Sequence, residues 1–200
     1  VDSTGKRHKV LDCAMSAQDR VERAKSDFLI KLGELDGIHA WDLFRTSPVP
    51  VREDITCVLA AVNKNACAFR YAADSVKNTL EVVLQAVTMD GCALKHAADP
   101  FKADREVVRA AVSSNGQAFQ YAADSLKSDK EFVLEVVKIF GEALRHVDHS
   151  LKMDRDVVLQ AVTSMSYALN FADDALKDDP EIALAAFHND GPCDPPCDES

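Results

Sequence analysis

A 25-residue repeat governs this chain. The stretch beginning at Asp104 reads DREVVRAAVSSNGQAFQYAADSLKS. It recurs without a gap from Asp54, Thr79, Asp129 and Asp154, and a truncated copy starts at Asp179. A fixed period of this length marks stacked supersecondary units, each too small to bury its own apolar face. Repetition also limits what can be read about activity. It shows how a surface is built more than what that surface holds.

With columns counted from the Asp of each unit as zero, the pattern predicts helices. Column three holds Cys57, Val82, Val107, Phe132, Val157 and Ile182, and column eight holds Val62, Val87, Val112, Val137, Val162 and Phe187. Columns four and seven are Val and Ala with few exceptions. The spacing 3, 4, 7, 8 is one face of an α-helix, and its phase is wrong for a strand despite the valines. Asp at column zero is a good N-cap, and Glu81, Glu106, Glu131, Asp156 and Glu181 favour the first turn. Gly91, Gly116, Gly141 and Gly191 at column twelve fit a helix C-cap. A second short helix follows, with Ala at column fourteen and Phe69, Leu94, Phe119, Leu144 or Leu169 at fifteen. Asp at column twenty is expected to cap a final single turn that buries column twenty-two. The predicted fold is all-α: a right-handed α-solenoid of about five 25-residue helical-hairpin repeats.

The ends differ from the array. Ser16 with Asp19 has the form of a capping box. Val21, Ala24, Phe28, Leu32 and Leu35 then predict an amphipathic helix stopping near Gly37, and Trp41, Leu43 and Phe44 a short apolar turn. This segment shows no repeat register and is expected to be an N-terminal helical cap. The domains expected are residues 1–50 as extension and cap, 51–190 as the array, and 191–200 as an acidic Pro/Cys tail.

The net charge of −10 argues against nucleic acid, which asks for a basic footprint. Residues 1–48 carry eight basic and eight acidic groups, so the remainder holds the whole imbalance. No run reaches the roughly 18 apolar residues of a membrane span. Lys6, Arg7 and Lys9 are followed by no apolar core, so no signal peptide is read. A soluble chain, intracellular or organellar, is expected, and the lack of a span leaves peripheral association with a membrane complex open. Of six cysteines, Cys67 and Cys92 share a column of successive repeats, where a disulfide is not expected.

The consensus D-R-E-V-V-L-x-A-V-x-x-N-G-x-A-L-x-Y-A, carried here by Asp104–Gly116 with Ala118, Phe119, Tyr121 and Ala122, resembles the family catalogued as domain of unknown function forty-one sixteen. The resemblance covers about residues 51–190. It implies short tandem helical repeats, common in algal and protist proteins, and implies no activity. The unit at Asp129 departs most, with Ile139 and Phe140 at the turn and His149 in place of Asp.

Several features are candidates for chemistry, each with a plainer reading beside it. Lysine fills column twenty-three in Lys77, Lys102, Lys127, Lys152 and Lys177: a basic ladder, or an Asp–Lys pair three residues apart repeated with the unit. The plainer pair is favoured. Column sixteen, Arg70, Lys95, Gln120, Arg145 and Asn170, is never acidic. It lines either a binding groove or a solvated face. Ile139, Phe140 and Met165 break the polar turn and offer either an apolar contact patch or a local repacking. His146, Asp148 and His149, and His188 with Cys193 and Cys197, have the elements of metal sites but lack a full ligand set, so no metal or cofactor is expected. No phosphate loop, nucleophile elbow or HExxH is present, and no enzyme is expected. The expected function is a non-catalytic protein-interaction scaffold, an accessory or structural subunit of a larger assembly. The alternatives are a small-ligand or metal-binding regulatory module, and, as context, a soluble accessory subunit of an algal organellar (photosynthetic) complex.

Overall fold

The computed structural model describes residues 15–189, all helix and turn, with no strand among them. The described residues fall into two compact units, one ending at Met89 and the other beginning at Asp90. The Thr79 repeat is shared, giving its long helix to the first and its remainder to the second.

Each repeat has three pieces. The long helix occupies columns one to ten, as in Ile55–Lys64, Arg105–Ser114 and Arg155–Ser164. Its column-zero Asp accepts from backbone N–H groups of the first turn, Cys57 on Asp54 at 3.0 Å and Val107 on Asp104 at 3.1 Å. This satisfies donors that have no partner within the helix. Columns three, four, seven and eight are buried in every complete repeat, as the sequence period requires.

Column eleven is where the structure departs from the expected glycine C-cap. Asn65, Asp90, Asn115, Phe140 and Met165 are all extended, with φ from −144° to −159°. That single extended residue ends the long helix and starts a six-residue 3₁₀-helix, such as Gly116–Tyr121. Asn65, Asp90 and Asn115 accept from the N–H two residues on, at 2.9 to 3.0 Å, a side-chain turn that competes with further α-helix. The glycines at column twelve are the first residues of the 3₁₀-helix and serve close approach. A Cβ at Gly91 would overlap the Ala111 carbonyl oxygen, and one at Gly141 the Ala161 carbonyl oxygen, each belonging to the following repeat.

The third piece is a single turn, columns twenty to twenty-three. Column nineteen, not the expected Asp at twenty, is its N-cap. The column-twenty Asp is the first residue of the turn and pairs with the Lys three residues on: Asp74–Lys77 at 3.5 Å, Asp99–Lys102 at 3.0 Å, Asp124–Lys127 at 3.7 Å and Asp174–Lys177 at 2.7 Å. The column-nineteen N–H donates to the column-twenty-three carbonyl of the preceding repeat, Ala123 to Lys102 at 2.8 Å, Asp148 to Lys127 at 3.0 Å and Asp173 to Lys152 at 3.1 Å. Within the second unit these backbone bonds tie repeat to repeat at a constant offset.

The N-terminal segment is more helical than expected. Ser16 and Asp19 form the predicted capping box of α1, Ala17–Glu34. Residues 37–46 are a full helix, α2, capped by Asp36, where a short turn was expected. Gly37 begins α2 instead of ending α1, and a Cβ there would stand 2.7 Å from the Lys64 carbonyl oxygen. A single turn, Val49–Arg52, completes the segment. Its register matches columns twenty to twenty-three: Val51 is buried, and the Ala73 N–H donates to the Arg52 carbonyl at 3.0 Å. The cap therefore imitates a preceding repeat, which its sequence does not advertise. Residues 1–14 and 190–200, with Cys13, Cys193, Cys197, Gly191 and the Pro/Cys tail, lie outside the described residues, as does the side chain of His188.

Candidate functional site

The 3₁₀-helices hold the candidate site. Their columns fourteen and fifteen turn inward, and Ala68, Phe69, Ala118, Phe119, Ala143 and Leu144 are buried. Columns sixteen and seventeen therefore face outward together. Arg70, Lys95 and Arg145 are exposed, and the aromatic side chains beside them are half-buried. In the second unit the cation of one repeat lies over the ring of the next. Lys95 Nζ is 6.0 Å from the Tyr121 ring centre, and the Arg145 guanidinium carbon is 5.9 Å from that of Phe171. In the first unit Arg70 stands 5.7 Å over Tyr71. Tyr71 stacks on Trp41 at 5.9 Å, and Arg45 lies 5.7 Å over Trp41. Such contacts hold a cation in place without neutralising it. The arrangement can bind carboxylates and flat apolar groups.

The apolar trio divides. Ile139 is 50% exposed. Phe140 is half-buried, its ring lying where a Cβ of Gly116 would be. Met165 is also half-buried, with its Cβ against Gly141. Neither supplies the side-chain turn bond that Asn or Asp gives at this column. Each instead covers the glycine of the preceding repeat, which accounts for the broken polar pattern without any partner.

The lysine column is occupied by the repeat itself. Besides their Asp partners, Lys127 Nζ donates to the Gln120 carbonyl at 2.9 Å, and Lys152, which lacks an Asp, donates to the Arg145 carbonyl at 2.8 Å. Burial pushes His146 below the usual imidazole range, and Arg145, Lys127 and Lys152 push it further. Those cations would also repel a metal ion. Asp148 is engaged as a cap, accepting from the Ser150 N–H at 2.9 Å and hydroxyl at 2.7 Å. No cluster of three or more metal-ligating groups occurs among the described residues. Cys57, Cys67 and Cys92 are free thiols. Burial pushes Cys57 up to about 12 and also raises Cys92.

Two features escaped the sequence reading. Trp41 extends the aromatic column into the cap. A charged ladder also joins successive long helices at their starts: Arg105 pairs with Asp129 and Glu131, Lys130 with Asp154 at 2.7 Å and Asp156 at 3.1 Å, and Arg155 with Asp179 at 3.1 Å and with Glu181. The signal was present as a basic column one followed by acids 24 and 26 residues on. In the first unit column one is Ile55 and Leu80, and Lys25 of α1 reaches Asp54 at 2.8 Å instead.

A family model described as Domain of unknown function (DUF4116) matches five times in overlapping placements, at residues 54–102, 79–127, 104–152, 129–177 and 154–193. Each full placement spans two of the repeats above. No curated protein and no solved structure matches the chain.

Proposed function

We propose, on the premise that this chain belongs to the family described as Domain of unknown function (DUF4116), that it is a non-catalytic protein-binding scaffold whose working face is the cation–aromatic column of the 3₁₀-helices. One observation carries the reading. Lys95 and Arg145 cross a repeat boundary to lie over Tyr121 and Phe171, so two exposed cations of the second unit stand on a face already ordered. A partner that meets ordered side chains loses less conformational entropy on binding. Arg, Tyr and Trp are also the side chains that dominate binding energy. The complement is a protein surface bearing carboxylates and apolar groups. The right-handed solenoid of about five units, a soluble compartment, and a place as an accessory subunit, in an algal organelle for instance, belong to this same reading. No helix among the described residues is long and apolar enough to cross a membrane, which agrees with a peripheral or soluble role. Ile139, with the half-buried Phe140 and Met165, is the weaker face.

The test is affinity purification from the native source with tagged wild type and with the triple variant Arg70→Glu, Lys95→Glu, Arg145→Glu. A stoichiometric partner lost at least about tenfold from the variant is expected, since several interface cations are reversed together. A partner retained by that variant but lost from Ile139→Asp would move the face to the turn.

A further inference from the structure

Two exposed cations of the second unit stand apart from the pairing around them. Lys102, Lys127 and Lys177 each reach the Asp three residues before, and Arg105, Lys130 and Arg155 each reach the capping Asp of the next repeat. Lys95 and Arg145 form no ion pair with any described residue and lie over Tyr121 and Phe171 instead. For Arg145 a carboxylate was at hand. Glu142 stands three residues before it in the 3₁₀-helix Gly141–His146, where such a spacing puts two side chains on one face. In a chain of net charge −10, cations left exposed and unneutralised are complemented by negative charge from elsewhere.

The ground between the two selects the form of that charge. It carries Gln117, Gln120 and Glu142, while the large apolar side chains of the same helices, Phe119 and Leu144, are buried. A helix lying here would find no apolar strip for its own apolar stripe. An extended segment would find an amide. Gln120 Nε2 donates to the Gln117 carbonyl at 3.0 Å, which leaves its Oε1 and second N–H for the backbone of a bound strand.

Spacing narrows the choice further. Lys95 and Arg145 lie on 3₁₀-helices two repeats apart, with Gly116–Tyr121 packed between them. At about 8–10 Å between packed helices, the two cations stand roughly 16–20 Å apart. A strand rises about 3.3 Å per residue and alternates its faces, so acidic residues six apart span about 20 Å on one side of it. Four apart reach only about 13 Å, and five apart point to opposite sides.

We propose that the cation–aromatic column of the second unit binds an extended acidic segment of a protein partner. Two carboxylates six residues apart meet Lys95 and Arg145, and the backbone between them bonds to the Gln120 amide. This deepens the scaffold reading above and rests on it.

The test uses the full chain at about 0.1 M salt, where screening beyond about 10 Å removes the effect of distant charges. The probes are fluorescein-labelled twelve-residue peptides of Ser, Thr and Val with two Glu residues four, six or eight apart, read by fluorescence anisotropy. The six-apart peptide is expected to bind saturably with a Kd below about 1 mM. The other two should bind about two- to fivefold more weakly, the worth of one exposed ion pair. Lys95→Glu and Arg145→Glu should each weaken the six-apart peptide about fivefold or more. The double variant should instead bind the peptide whose two Glu are replaced by Lys, a rescue that a misfolded chain would not show. Gln120→Ala should weaken binding about fivefold. Lys138→Glu, at an exposed cation of the long helix Lys130–Ile139, should leave it unchanged. No binding of the six-apart peptide up to about 1 mM overturns the proposal, and so does equal binding at all three spacings. Tighter binding by a helix-forming peptide with its Glu residues eleven apart, about 17 Å along one helix face, overturns it too. Capture of the native partner separates this inference from the scaffold reading. If the peptides fail while the partner is still lost from the triple variant Arg70→Glu, Lys95→Glu, Arg145→Glu, only the extended acidic segment falls. If the partner is retained as well, both fall.

Discussion

The two ends of the described chain solve the same problem differently. At the start, residues 17–52 cover the first repeat without sharing its sequence. They do so by matching a few atoms: Lys25 takes the place of a column-one cation on Asp54, the Gly37 carbonyl accepts from Asn65 Nδ2 at 2.9 Å, and the Arg52 carbonyl accepts from Ala73. Phe28 and Phe44, 5.7 Å apart and both buried, supply the apolar bulk. At the other end, the sequence keeps the column register through residues 180–189 but loses the apolar motif after it, and Phe187 stays exposed. Coverage of a repeat thus depends on a handful of registered contacts plus apolar volume. Sequence similarity to the repeat is not needed.

The sharpest way to break this comparison is to truncate a phenylalanine at each end. Phe44→Ala removes a ring that is fully buried and should cost about 3–5 kcal/mol of stability. Phe187→Ala should change stability by less than about 0.5 kcal/mol, as an exposed substitution does. Denaturant melts of the two variants measure both, and similar losses would mean that the last helix is covered after all.

Next in size is the turn. Gly141→Ala places a methyl group against the Ala161 carbonyl and the Met165 Cβ, and should cost about 1–3 kcal/mol by overpacking. Gly33→Ala, with nothing within 4 Å of the new Cβ, should be neutral or stabilising by up to about 1 kcal/mol as a helix substitution. If the two variants melt alike, close approach is not what column twelve requires.

Smaller again is the cap junction. Asp54→Ala removes a helix N-cap and the partner of Lys25, and should cost about 1 kcal/mol. A value near zero would show that α1 is held by its apolar face alone.

Acid gives the finest discrimination. Burial lowers the His146 pKa, so the unfolded chain takes up that proton first. Stability is lost as pH falls from the usual histidine value of about 6.5 toward the depressed one. The Asp carboxyls follow. Arg155 and the Ile182 N–H hold Asp179 below the usual range, and the Phe132 N–H and Arg105 do the same for Asp129. Burial raises Asp54, but Lys25 and the Cys57 N–H more than reverse it. Their stabilisation is present above an ordinary carboxylate pKa of about 4 and is lost as pH falls through the depressed values. Melts from pH 7 to 2 should therefore show two stages of loss. His146→Phe, which matches Phe171 one repeat on, should remove only the first.

Much of the array was legible because its signals are local and repeated. The apolar period, the Asp caps and the Asp–Lys pairs each act within a few residues, and five copies separate them from chance. The single extended residue at column eleven was harder to see. Asn, Asp, Phe and Met all adopt it, and Asn115, Phe140 and Met165 each stand against the glycine of the repeat before. For the same reason Phe140 and Met165 read as exposed apolar residues until Gly116 and Gly141 were seen beneath them. Of the candidate site, Arg70, Lys95 and Arg145 were visible as a column that is never acidic, but the placing of Lys95 over Tyr121 and of Arg145 over Phe171 was not, since a contact across 26 residues leaves no local pattern.

By itself, then, the amino-acid sequence determined the helical class, the unit length and the residues that make each unit's core, because hydrophobic period and capping are properties of neighbouring residues. Only the tertiary structure decided that the second element is a 3₁₀-helix, that α2 and Val49–Arg52 stand in for a missing repeat, and that Lys95 and Arg145 lie over rings of the following repeat. Those outcomes depend on which atoms of one repeat meet the next, and that is fixed by packing distances between segments far apart in the chain.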